Sequence, residues 1–141
     1  MKNITKKDYE NICKLVQQAV DEKFRKMVSL GPMYTVTVSG GSQKPKTYPA
    51  LGLCGFAWIK FKGAKVKNQL EQAGFRVSKD YPTGFGLHID YKFNQEMKKL
   101  HPYAEAEYQQ DIDLKEVACE TALKFLENNF DFVGYVHTQL D

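Results

Sequence analysis

Leu51–Gly63, "LGLCGFAWIKFKG", decides how this chain is read. As a strand it alternates: Leu53, Gly55, Ala57, Ile59 and Phe61 share one face, and Cys54, Phe56, Trp58 and Lys60 the other. Both faces are apolar. That predicts a central strand covered on both sides, with the small Gly55 and Ala57 admitting a helix at close range. The Trp58 face is expected to be a second core layer, the alternative being the wall of a pocket.

On the N-terminal side, Thr5 with Asp8 three residues later is a variant capping box, in which Asp replaces the usual Glu or Gln. Ile12, Leu15, Val16, Ala19, Val20, Phe24 and Met27 then recur at helical spacing until Gly31-Pro32 stops the pattern. "YTVTV", Tyr34–Val38, alternates at period two and reads as a strand, and residues 39–50 read as a flexible loop rich in chain breakers.

On the C-terminal side, Val66, Leu70 and Ala73 form one side of a short helix after Gly63, and Gly74 is placed to cap its end. Phe75–Lys79 and Phe85–Lys92 read as a hairpin around Tyr81-Pro82-Thr83-Gly84. On its second strand Phe85, Leu87, Ile89 and Tyr91 face one way and Gly86, His88, Asp90 and Lys92 the other. Residues 94–110 form a polar insertion with one or two helical turns outside the core. A long helix follows over Asp111–Asn129, with Leu114, Val117, Ala118, Thr121, Phe125 and Leu126 inward, and Phe132–His137 is the last strand. The expected fold is one α+β domain over residues 1–141: a mainly antiparallel sheet of about five strands with a long N-terminal and a long C-terminal helix packed on it.

Composition narrows the functional classes. The chain has 141 residues and 43% hydrophobic residues, enough for a core without metal or disulfide staples. Twenty Lys and Arg against 17 Asp and Glu leave +3, a weakly basic protein. Its pI of 8.6 argues against nucleic acid as partner. The strongest local bias is Lys44, Lys46, Lys60, Lys62, Lys65 and Lys67, with no acid between Lys44 and Lys67. These read as solvated lysines or as an anion-facing patch. The first residues lead directly into a charged helical pattern, with no apolar h-region. No apolar run reaches the roughly 20 residues a membrane span needs. A cytoplasmic protein without membrane contact is expected. Cys13, Cys54 and Cys119, each in an apolar periodic segment, read as buried free thiols.

Several pieces taken in order resemble a group of small bacteriophage-encoded proteins without assigned function. These are "GPM" at Gly31–Met33, "CGFAW" at Cys54–Trp58, the Tyr81–Ile89 hairpin with Gly84, Gln95, the Lys115-Glu116 helix and the ending "GYVHTQLD". The resemblance covers most of the chain. The departures are His88 where the group tends to carry a tryptophan, Gln139-Leu140-Asp141 in place of Arg-Leu-Asp, and the 94–110 insertion. A position that accepts Trp or His implies packing, or stacking on a flat ligand, rather than shared catalysis.

No phosphate loop, dinucleotide turn, nucleophile elbow or zinc-protease helix occurs in the sequence. No cofactor, no metal and no catalytic residue is assigned. The candidate ligand-binding residues are Trp58, Lys60, Lys62, His88, Asp90, Tyr91 and His137. The resemblance and this set together imply a small phage-type accessory protein acting in the host cytoplasm as a non-enzymatic binding module. In that role it counters host defence, by binding a host protein or by sequestering a small anionic, nucleotide-like ligand. A homo-oligomer is a further option. The alternatives are a virion or assembly protein working through exposed strand edges, and a small hydrolase using His88 and Asp90, with His137 alongside.

Overall fold

The computed structural model describes residues 3–32, 34–38 and 46–141, the side chains of 34–38 and 46–49 excepted. Helix α1, Lys6–Leu30, starts where expected: Thr5 and Asp8 each bond the other's backbone amide, so two otherwise orphaned donors are satisfied. It ends at Gly31, whose φ of 84° a side chain would resist. Ile12, Val16, Val20, Phe24 and Met27 are buried one helical turn apart, whereas Leu15 is exposed and Ala19 half-buried at the margin of that stripe.

Strands β1, Tyr34–Val38, and β2, Lys46–Ala50, form a separate antiparallel pair with Tyr34 opposite Ala50. Part of the loop expected over 39–50 is therefore strand, and residues 39–45 lie outside the described residues. Next come β3, Gly55–Phe61, helix α2, Ala64–Ala73, with its C-terminus capped by Gly74, and the hairpin strands β4, Arg76–Lys79, and β5, Phe85–His88. A 3-10 turn, Gln95–Lys99, helix α3, Ala104–Gln110, helix α4, Ile112–Phe130, and strand β6, Gly134–Leu140, complete the chain. The sheet is antiparallel throughout, in the order β4-β5-β3-β6. The class is α+β, with four strands in the main sheet rather than about five. Among the described residues no helix is long and apolar enough to cross a membrane.

The helices form two layers, not one. Helix α4 lies against β3 and β6, and α1 packs chiefly on α4 instead of on the sheet. The close approach of α4 depends on Gly55, where an added Cβ would stand 2.6 Å from Ile112 Cδ1. Leu114, Ala118, Cys119, Ala122, Leu126 and Phe130 are the buried face of α4, while Val117, Thr121 and Phe125, expected inward, are half-buried beside it. On the sheet, Ile59, Phe61 and Leu87 are buried under this layer. The other face of β3 is open: Phe56 keeps 50% of its surface exposed, so the expected second core layer is absent. Cys54 is exposed as well and Cys13 half-buried, leaving Cys119 as the one expected buried thiol among the three.

Residues 94–110 reach into the core rather than standing outside it. Met97, Ala104 and Tyr108 are buried, and Phe24, Tyr91 and Phe93 pack edge-on against the Tyr108 ring at 5.4, 5.5 and 5.2 Å. The Tyr108 hydroxyl donates to Asp21 at 2.5 Å and accepts from Gln17 Nε2 at 2.8 Å, so a polar tip is tolerated in the interior. The hairpin is shorter than expected, since β5 stops at His88 where its partner begins at Arg76.

A ligand-binding candidate on the open sheet face

Strand parity fixes which side chains the open face carries. From β4 come Arg76 and Ser78, opposite His88 and Gly86 of β5. From β3 come Phe56, Trp58 and Lys60, opposite Gln139, His137 and Tyr135 of β6. Glycine at position 86 lets the Trp58 indole settle on the sheet: a Cβ there would come within 3.0 Å of indole Cδ1 and 3.4 Å of Ser78 Oγ. The His137 ring lies 4.6 Å from the indole, tilted by 50°, and the pair forms an aromatic platform.

Beside this platform lies a groove of about 470 Å³, with Phe56, Trp58, His88, Asp90, Arg76 and Lys115 among its walls. Arg76 holds the Asp90 carboxylate through Nη2 at 2.7 Å and Nε at 3.2 Å, leaving its remaining N–H donors free of that carboxylate. Lys115, projecting from the first turns of α4, donates to the Gly55 carbonyl at 2.7 Å and sits 4.8 Å over the Phe56 ring. Burial lowers the pKa of His88 below its usual value. The Arg76 guanidinium lowers it further, against the opposite pull of Asp90 and Asp80. The imidazole is therefore neutral at neutral pH, hydrogen-bonded through Nε2 to Ser78 Oγ at 2.6 Å.

Of the residues singled out from the sequence, Trp58, His88, Asp90 and Tyr91 line this one groove, and His137 leans on Trp58 beside it. Tyr91 has its hydroxyl donated to the Tyr108 carbonyl at 3.1 Å, and burial pushes its pKa up. Lys60 and Lys62 stand elsewhere, in a recess of about 220 Å³ with Asp80 and Tyr135, where Lys60 pairs with Asp80 at 3.4 Å. Asp90 is bonded to Arg76, and the partner that His88 takes is Ser78. Among the described residues no three His, Cys, Asp or Glu side chains come together to hold a metal ion.

Sequence reasoning missed Arg76 as a groove residue and Ser78 as the partner of His88, and it missed Phe56 and Lys115 in the groove. For the first two a signal existed, because a hairpin closed around Tyr81–Gly84 sets Arg76 opposite His88 and Ser78 opposite Gly86. Lys115 had none, since only the packing of α4 on β3 brings it there. No family model, curated protein or solved structure matches the chain.

Proposed function

We propose that the chain is a small phage-type accessory protein of the host cytoplasm. It works as a non-enzymatic binding module and sequesters a flat, anionic, nucleotide-like ligand on the open sheet face, a counter-defence role. The observation that carries this reading is the placement of the Trp58–His137 platform beside a groove walled by Arg76 and Lys115. Stacking of a planar ring on an aromatic side chain contributes roughly 1–3 kcal/mol, and guanidinium and ammonium donors recognise phosphate oxygens by charge-assisted hydrogen bonds. The neutral His88 adds a hydrogen-bonding edge but no positive charge. Asp90 tempers the site, because an incoming anion must share Arg76 with it.

The test uses the single tryptophan of the chain as reporter. Titration with nucleoside monophosphates and cyclic dinucleotides is expected to quench Trp58 emission saturably. Calorimetry on Arg76→Ala should show affinity reduced about tenfold or more, at the scale of one charge-assisted contact. Asp90→Asn, which frees the guanidinium, should bind more tightly than wild type. Unchanged affinity in Arg76→Ala, or no quenching by any of these probes, rejects the reading.

A further inference from the structure

Strand β6 is the outer strand of the sheet, and its free edge carries information the ligand groove does not use. The Asp141 N–H donates to the Cys54 carbonyl at 3.2 Å, just beyond the Gly55–Leu140 pair. In an antiparallel ladder the bonded residues alternate, so Tyr135, His137 and Gln139 aim their backbone groups at β3. Those of Gly134, Val136, Thr138 and Leu140 point away from the sheet. Among the described residues no strand pairs with them.

The two edges of the sheet differ. Edge strand β4 carries the charges of Arg76 and Lys79, the usual protection against unwanted pairing. Edge strand β6, "GYVHTQL", has neither a charged residue nor a proline. Its ends also differ from each other. Before it stands Val133, 85% exposed. Past its other end opens an apolar groove of about 530 Å³, walled by Leu53, Cys54, Tyr103, Ala106 and Leu140.

We propose that two copies of the chain pair antiparallel through β6, giving one continuous eight-stranded sheet from the two four-stranded ones. Full overlap of the strand with itself about a two-fold axis sets Gly134 opposite Leu140 and Val136 opposite Thr138, with His137 at the axis. The residues whose backbone groups point outward then fall on the hydrogen-bonded positions of the new ladder. The same overlap carries Val133 of the second copy to the end of β6 beside Asp141, at the mouth of the apolar groove, and symmetry repeats this contact at the other end. Knob and recess belong to one chain and sit at opposite ends of one strand, which is why the second copy is the fitting occupant.

Sedimentation velocity of the wild type should show twice the monomer mass. Thr138→Pro removes an outward N–H and no bond to β3, so the variant should remain folded by circular dichroism and sediment as a monomer. An independent readout is oxidative cross-linking in a Cys54→Ser background. His137→Cys should form a covalent dimer, because non-hydrogen-bonded antiparallel partners stand about 4.5 Å apart at Cα, within disulfide reach. Gln139→Cys should not, since its symmetry mate lies four residues along the strand, roughly 13 Å away. A wild type that stays monomeric at every concentration overturns the proposal and leaves the edge to a strand of another protein. A Thr138→Pro variant that is folded and still dimeric, or a Gln139→Cys that links as readily as His137→Cys, also overturns it. If Thr138→Pro fails to fold, the cysteine pair decides the matter.

Discussion

Asp111 offers the sharpest test of the packing described above. It caps α4, its Oδ1 accepting from the Leu114 N–H at 3.0 Å, yet it is 2% exposed and its Oδ2 has no hydrogen-bond partner. That oxygen fills the space where a Gly52 side chain would be, since a Cβ there would fall 1.7 Å from it. Burial pushes the carboxyl from its ordinary 3.8 up to about 6; the negative charges of Asp113 and Glu107 add to this, against the Leu114 amide bond. A raised carboxyl pKa means that the folded protein holds an extra proton between about pH 4 and 6. Stability therefore falls as pH rises through this window, and the loss is complete above it. At ~1.4 kcal/mol per tenfold change in proton affinity, the ionised group costs about 3 kcal/mol at neutral pH. Asp111→Asn keeps the capping oxygen and removes the charge, giving up only the dipole attraction of about 0.3–1 kcal/mol. Urea unfolding of both proteins should show near-equal stability at about pH 4 and the variant more stable by roughly 1–3 kcal/mol at about pH 7. Taking the difference cancels the other titrating groups. A variant no more stable than wild type at neutral pH, or a gap that does not change with pH, refutes the reasoning.

Three further outcomes are expected. Gly55→Ala should destabilise by about 2 kcal/mol or more, and Ile112→Ala should not rescue it, because the new Cβ also meets the Gln139 carbonyl at 2.7 Å; full rescue in urea unfolding contradicts this. Gly86→Ala should leave the protein folded but displace the indole, read as a shift in the emission of the sole tryptophan and weaker nucleotide binding; unaltered emission argues against Trp58 resting on this glycine. A disulfide reagent should modify exposed Cys54 in the native state, and Cys119, buried with its pKa pushed up to about 12, only after unfolding; mass spectrometry of the modified peptides reads the order.

Where the interactions are local, the sequence announces them. Thr5 and Asp8 are three residues apart and meet within one turn, Gly31-Pro32 and Gly74 end helices by their own backbone preferences, and the 3.6-residue recurrence of Ile12 to Met27 needs no partner to be recognised. The parity of β3 is of the same kind. It placed Gly55, Ala57, Ile59 and Phe61 on one face and Trp58 on the other, as the structure has them.

The residues from 94 to 110 were illegible because Met97, Ala104 and Tyr108 are isolated among polar neighbours and split between two short elements by His101-Pro102. Tyr108 is buried only because Gln17 and Asp21, on a helix at the far end of the chain, supply partners for its hydroxyl. Burial of a polar tip is decided by who is near it in space. The candidate site divides in the same way: Trp58 and His88 stood out by type and alternation, Arg76 was within reach of hairpin register, and Lys115 was not, since it arrives with α4.

By itself, then, the sequence determined helices α1, α2 and α4, most of the strands and the side each residue of β3 faces, all set within a few bonds along the chain. A helix on the Gly55 face was expected from its small residues; whether the Trp58 face is covered as well was left to tertiary structure. A helix packs closest where no side chain stands in its way, so α4 settled on the Gly55 face and left Trp58 open to whatever binds there.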